Sequence, residues 1–514
     1  MRSANARRIV VVGAGIGGLT TAALLVRSGY QVTVLEAHVY AGGCAGTFYH
    51  KGYRFDSGAT LAGGFSGGGP HAQVAAALNL QWPVSAVDPA WVVHLPGRTV
   101  TQWADAERWR AESQAAFPGS AGFWRAQEQL ADISWDIASR PFPWPPESAR
   151  DLAAVAAAVR PRTLLALPHL LRTVAQLASA HGASAELRTF LDAQLLIAAQ
   201  TVSHSAHALY GSAALDLPRR GVNHVHGGIG ALASTLADWL RAHGSAVLYR
   251  HTVEQIEVRS GRAVAVRTSQ GLRVPCDYLV ANLTPWSLRA LLGAAAPAAL
   301  TREVQRRPDT WGAFTLYLGL DAQALPAGLA DHHQVVVDAS RPLGEGNSVF
   351  VSLSDAQDAR RAPAGMRAAT LSTHTAIAPW WQLHHAGGSA YAERKAAYTQ
   401  QLLAAAERAV PGISRATRLC LAGTPLTFEY FTGRAQGMVG GFAQTSLFNV
   451  RGPHTGLANA WLVGDSVFPG QSTAGVTLGG MRVARAVMAA AGPASRQLPH
   501  SKQTAASWHI PSTQ

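Results

Sequence analysis

The sequence predicts an α/β protein: a Rossmann-like, two-dinucleotide-binding domain carrying an inserted α+β domain. Three observations lead there. A strand–helix–strand unit with the spacing Gly13-x-Gly15-x-x-Gly18 opens the chain. A second glycine cluster, around Gly464-Asp465, returns more than 440 residues later. Between them lie an Ala/Leu-rich helical stretch and then mixed strands and helices.

Arg8–Val12 is short, β-branched and followed by glycine, as a buried parallel strand is. Residues 19–28 read as a helix ended by Gly29, and Gln31–Leu35 as the second strand, closing on Glu36. In such a unit Gly13 makes the tight turn and Gly15 lets backbone approach a pyrophosphate. Gly18 permits close helix–strand packing, and Ala14 and Gly17 complete the loop. The helix N-terminus offers N–H groups and partial positive charge to phosphate. Glu36, 18 residues after Gly18, is spaced to accept hydrogen bonds from a ribose diol.

Residues 38–69 form a loop dense in glycine, including Gly42 and Gly43, which suits backbone packed against a ligand. From about 100 to 220 the pattern is helical, with prolines at 141–146, 161 and 168. The stretch 163–180 is apolar nearly all round and reads as a helix, either buried or lying on a bilayer. After 221 come Gly227-Gly228, a helix at 231–242 and strands at 246–249, 251–258, 263–268 and 278–282. Further strands are expected at 313–318, 334–338 and Ser348–Leu353, and a helix at 390–409. The strand 460–463 delivers Gly464-Asp465-Ser466; Gly475 and Gly479-Gly480 follow, then a helix from 481 to 491. This divides the chain into a discontinuous nucleotide domain (1–100, 221–300 and 441–492), an inserted substrate domain (101–220 and 301–440) and a disordered polar tail (493–514).

Of the 514 residues 48% are hydrophobic and only 14% charged, against about 25% charged in an average domain; wholesale disorder is excluded. No uncharged apolar run reaches the roughly 18 residues of a membrane span. The first apolar run breaks into glycines too early for a signal peptide. Three distant cysteines make neither a zinc spacing nor a disulfide framework, so a reducing cytoplasm is expected. The 20 histidines show no metal spacing, and no metal is expected. The net charge is +13, and three of the 43 cations are Lys, the rest Arg. The arginines are scattered, which points first to coding bias and next to a membrane surface; nucleic acid is not expected as a partner.

Taken with these spacings, Val11-Val12-Gly13-Ala14-Gly15-Ile16-Gly17-Gly18-Leu19, Glu36, Gly42-Gly43, Phe55-Asp56-Ser57-Gly58, Gly227-Gly228 and Gly464-Asp465-Ser466-Val467-Phe468-Pro469-Gly470 resemble the FAD-containing amine oxidase and phytoene desaturase superfamily. The resemblance runs over roughly 7–490 and is nearest to its carotenoid desaturases and isomerases. It implies FAD as cofactor, with Glu36 on the adenosine ribose and Gly42-Gly43 along the pyrophosphate. It further implies Val253 beside the adenine, Asp465 near the ribityl–phosphate region, and Gly475-Val476 against the isoalloxazine.

Many members carry Arg after the double glycine; here it is Cys44. The phosphate charge is then left to backbone N–H groups or another arginine, such as Arg54. Without a His or Asp partner nearby in sequence, Cys44 is expected to pack rather than react. The runs Gly43–Phe48 and Ala59-Thr60-Leu61 look most like carotenoid C-3',4' desaturases. A lipophilic carotenoid substrate, peripheral attachment to the inner face of the cell membrane and an external electron acceptor of open identity follow from that resemblance; a cis–trans isomerase and a ketolase of the same fold are the alternatives. A hydrocarbon substrate calls for an apolar, aromatic tunnel, with Trp380, Trp381, Phe428, Tyr430, Phe431 and Phe442 as candidate linings. No catalytic base is assigned; Glu429 and His454 read as surface residues.

Overall fold

Both ends of the chain supply the central sheet. In the computed structural model, which describes residues 7–140, 142–307 and 310–494, five parallel strands lie in the order Ala246–Leu248, Gln31–Leu35, Arg8–Val12, Tyr278–Ala281, Ala460–Leu462. Helices Ile16–Arg27, Gly230–Ala242 and Thr473–Ala491 bury their apolar faces together on one side. The three-stranded antiparallel sheet Val253–Arg259, Arg262–Thr268, Arg273–Pro275 and helix Pro285–Leu292 cover the other. Layers on both faces explain why these strands read as unbroken apolar runs.

The last helix begins at Thr473, eight residues earlier than expected, with Ser472 Oγ accepting from Gly475 N at 3.0 Å. Gly475 and Gly479-Gly480 are therefore helical rather than loop glycines. Close helix crossing is the reason: a Cβ on Gly480 would stand 2.7 Å from Gly17 O. Thr21 Oγ1 spans the crossing, donating to Gly17 O at 2.8 Å and Gly480 O at 3.1 Å.

The second layer is a seven-stranded sheet in the order Thr417–Gly423, Gly312–Asp321, Met366–Thr375, Ser348–Leu353, His332–Val336, Trp91–Leu95, Arg98–Gln102. Its outer face packs Phe314, Leu316, Val349 and Leu371 against helix Ala390–Glu407. The strands Trp91–Leu95 and Arg98–Gln102, placed by the sequence reading in the nucleotide domain, pair here instead: Trp91–Leu95 runs parallel to His332–Val336. A change of β partner leaves no mark on composition, so the boundary expected at 100 falls inside the second of two strands that belong to the other sheet.

Helices Ala121–Ser139, Ala185–Ala199 and Ala208–Leu215 pack together as the lateral wall. The single helix expected over 163–180 is two pieces: a 3-10 turn series Pro161–His169, containing Pro168, and helix Val174–Ala180. Thr173 and Gln176 cap the second piece reciprocally, at 3.3 and 2.9 Å; a proline followed by a capping box ends one helix and starts another. The tail lies, from 495 onward, outside the described residues.

The crossing at Gly480 yields a paired test. Gly480→Val overpacks against backbone and should lower the thermal midpoint at a cost of about 1–3 kcal/mol. A Cβ on Gly479 meets nothing within 4 Å, so Gly479→Ala should hold or raise the midpoint through helix propensity; equal losses in thermal melts would refute the crossing argument.

Candidate cofactor and substrate site

A cavity of about 540 Å³ lies between the parallel sheet, the seven-stranded sheet and the helical wall. Of the residues singled out from sequence, Gly15, Gly17, Gly42, Gly43, Cys44, Gly464, Asp465, Gly475 and Val476 line it. Gly13, Ala14, Gly18, Glu36 and Val253 do not. Gly13 N donates to Leu35 O at 2.8 Å and makes the turn. Gly18 packs against Gly13 O and Asn282. Glu36 Oε2 accepts from Ala14 N at 2.7 Å and Oε1 from His38 N at 2.8 Å. Burial raises the Glu36 pKa, against the opposing effect of these N–H groups. Val253 is buried with Val12 and Leu35.

The Gly42–Gly46 turn rests on its neighbours. Gly42 N bonds Ala14 O at 2.9 Å, and Ser57 Oγ donates to Gly46 O at 3.0 Å. Behind it Asp56 is buried and holds three segments: Oδ1 accepts from Thr47 Oγ1 at 2.7 Å and Ile229 N at 2.9 Å, and Oδ2 pairs with Arg361 at 3.0 Å. The Phe-Asp-x-Gly and Gly227-Gly228 motifs thus meet at Asp56.

The arginine beside Cys44 is Arg434, which the sequence reading missed; Arg54 is exposed and does not line the cavity. Arg434 Nη1 stands 3.0 Å from Asp465 Oδ2, and Nη2 donates to Gly440 O at 2.7 Å. Nothing near Arg434 in sequence marks it, because its partner is 31 residues away. Burial pushes the Cys44 thiol up despite Arg434, which disfavours a reactive thiolate there. Asn282, also missed, sits among the fingerprint glycines: a Cβ on Gly15 would fall 2.3 Å from its Nδ2.

The donor set suits a dinucleotide diphosphate. The first turn of Ile16–Arg27 opens on the cavity at Gly15, Ile16 and Gly17, where helix N–H groups lack intrahelical acceptors. Arg434 adds a cation, and Gly464 and Gly475 present backbone from the other end of the chain.

Among the expected tunnel aromatics, Phe428 alone lines the cavity. Trp380 is buried beneath the outer face of the sheet, Tyr430 and Phe431 are 82% and 54% exposed, and Phe442 packs on Trp286 and Arg307. The actual wall is largely aliphatic, with Ile16, Leu61, Ile137, Leu209 and Leu217 beside Trp135 and Tyr210. Elsewhere, His224, His226 and Asp358 bring ligand-type atoms within 4.8 Å of one another. Asp358 already takes His224 Nε2 at 3.1 Å, Gly227 N at 2.5 Å and Arg360 Nε at 3.1 Å. With Arg360 and Arg54 beside Gly227, this is an ion-pair network whose charge opposes a metal cation.

Because Glu36 orders the backbone of Ala14, Glu36→Ala should weaken flavin binding by about 1.5–3 kcal/mol, roughly 10–150-fold, in a fluorescence titration. Unchanged affinity would leave the carboxylate a purely local role in the turn.

The flavin containing amine oxidoreductase model matches residues 16–488. The chain is 27% identical over 500 residues to prolycopene isomerase, chloroplastic, of Arabidopsis thaliana, covering 93% of this chain and 82% of that one. It is 23% identical to a phytoene desaturase (neurosporene-forming) of Cereibacter sphaeroides, covering 92% and 93%. In solved structures the fold is similar to an oxidoreductase from Methanosarcina mazei, with a TM-score of 0.63, 17% identity, and coverage of 93% and 100%. A cavity with a helix N-terminus in its wall and glycines from both chain ends around it agrees with that match: the chain belongs to the flavin-containing amine oxidoreductase family, and its cofactor is FAD.

Proposed function

We propose that the protein is a carotenoid desaturase that oxidises the C-3',4' bond of an acyclic, 1'-hydroxylated carotenoid. One observation carries this reading. Gly43, Cys44, Ala45, Ala59, Thr60 and Leu61, which belong to the two runs resembling C-3',4' desaturases, line one cavity. The Gly58–Ala59 turn is tied to Cys44 O through Ala59 N at 3.1 Å. Bound FAD supplies a two-electron acceptor; the chain binds the polyene, orients one carbon and excludes water. The aliphatic wall suits a substrate with little to hydrogen-bond. The named similarities to a phytoene desaturase and a prolycopene isomerase support a carotenoid ligand, and the latter keeps cis–trans isomerisation as the second reading.

Attachment to a membrane surface belongs to the same proposal, because such a substrate resides in lipid. No helix among the described residues is long and apolar enough to cross a membrane. Leu152, Leu164, Leu165, Leu167 and Leu171 are exposed, Leu171 at 85%. The 3-10 segment bearing three of them packs on helices Ala121–Ser139 and Ala208–Leu215, both of which line the cavity. Arg160 and Arg162 are paired with Asp136 and Asp132, at 3.5 and 3.4 Å, so apolar area outweighs charge in this surface.

Two measurements test these readings. Mass spectrometry of the product should show loss of two hydrogens with absorption moved to longer wavelength. Unchanged mass with altered spectrum favours the isomerase, and added oxygen removes both. In sedimentation with anionic liposomes the protein should pellet, and a Leu164→Asp/Leu167→Asp/Leu171→Asp variant should stay in the supernatant; equal partitioning of the two would refute this surface.

A further inference from the structure

The inner face of the seven-stranded sheet forms the floor of the cavity, and it is not aliphatic. Across four strands, Thr315, Ser372, Phe350 and Gln334 stand directly opposite one another in register. His374 lies two residues beyond Ser372 on the same strand and therefore on the same face. Thr315 and Gln334 are sealed, and Gln334 is bonded to Gln194 and to Ala193 O. All of these residues line the cavity, but Ser372 and His374 remain partly accessible, although their strand is interior to the sheet.

His374 is held in place. Gln200 Nε2 donates to His374 Nε2 at 3.3 Å, which leaves the ring proton on Nδ1. Gln200 caps helix Ala185–Ala199 with φ 56, a conformation rare for a residue with a side chain. Its Oε1 is buried without a partner. Burial lowers the His374 pKa to about 4, so at neutral pH the imidazole is an uncharged donor. The Ser372 hydroxyl makes no hydrogen bond within the protein among the described residues. A ligand of carbon and hydrogen alone would cover these polar groups and leave them unpaired, which is costly in an enclosed site.

Building on the carotenoid reading above, we propose that Ser372 and His374 form an oxygen-recognising subsite, which selects a long apolar substrate carrying a hydroxyl or carbonyl group over the corresponding hydrocarbon. Gln200 is the positioning residue, acting through the His374 ring. The oxygen atom sits over the strand Met366–Thr375, and the polyene runs from there along the aliphatic wall.

The test compares a matched pair of acyclic carotenoids, one with a tertiary hydroxyl at its end and one without, on the FAD-loaded enzyme. Binding is read by quenching of protein fluorescence and turnover by product mass. Wild type should bind the hydroxylated member roughly 10- to 100-fold more tightly, as one or two satisfied hydrogen bonds give. In Ser372→Ala/His374→Leu that ratio should fall toward one, and His374→Gln should restore part of it. Equal wild-type affinities, or a ratio unmoved in the double variant, overturn the subsite. Selective binding without conversion of either carotenoid instead overturns the proposed reaction and leaves the subsite standing, so the two failures are separable. If the double variant does not load FAD, the single variant Ser372→Ala carries the comparison, with a ratio equal to wild type counting against the proposal.

Discussion

One side chain sets the spacing of the nucleotide site. Asn282 ends the strand Tyr278–Ala281, and its backbone N bonds Val12 O at 2.8 Å. The fingerprint loop wraps this residue, backbone and side chain together. A Cβ on Gly13 would meet Asn282 O at 2.8 Å, one on Gly15 would meet Nδ2 at 2.3 Å, and one on Gly18 would meet Cβ at 2.8 Å. Gly464, from the far end of the chain, approaches Oδ1. These glycines therefore accommodate Asn282 as well as leaving room for a phosphate. Exchanging Gly15 for a bulky residue would disturb Asn282 before any cofactor arrived, so loss of flavin in such a variant could not by itself locate the pyrophosphate.

The sequence was most legible where local chemistry is self-contained. The opening βαβ unit, the strand Ser348–Leu353 and the long helix Ala390–Glu407 need only their own periodicity and breakers. It was least legible where a residue acts on a distant one. Arg434 acquires its meaning from Asp465, Asn282 from the first turn, and His374 from Gln200, 174 residues away. Glycines in the last helix looked like loop because propensity counts against them in helices. The crossing at Gly17 and Gly480 outweighs that propensity. The expected aromatic tunnel failed for a related reason: aromatic residues near a predicted site can serve the opposite face of a sheet, as Trp380 does.

The seven-stranded sheet divides its labour between faces. Outward, Phe314, Leu316, Val349 and Leu371 build a core under a helix; inward, the register places Thr315, Ser372, Phe350 and Gln334 on the cavity floor. A one-residue slip in any strand would exchange these sets and put polar groups into the core. The outer core thus enforces the register that the cavity floor requires. On the opposite wall a single helical layer separates the cavity from the exposed leucines, so an apolar ligand entering from that side would cross little polar surface.

The titratable groups around the cavity narrow the chemistry further. Among the described residues these are Cys44, Tyr210, His374, Arg434 and Asp465. Burial raises Cys44 and Tyr210 and lowers His374 to about 4. Asp465, the one carboxylate, is held by Arg434 at 3.0 Å. No strong base is free at neutral pH, and no unpaired carboxylate waits for a cationic amine. Oxidation beside a long polyene asks for less. Departure of hydride from the carbon next to a conjugated chain leaves a delocalised cation whose neighbouring C–H is acidic, and an acceptor as weak as water suffices to take that proton. Isomerisation requires no net proton transfer at all. The electrostatics of the cavity, with its one lining carboxylate paired to Arg434, are thus compatible with the uncharged substrate proposed above.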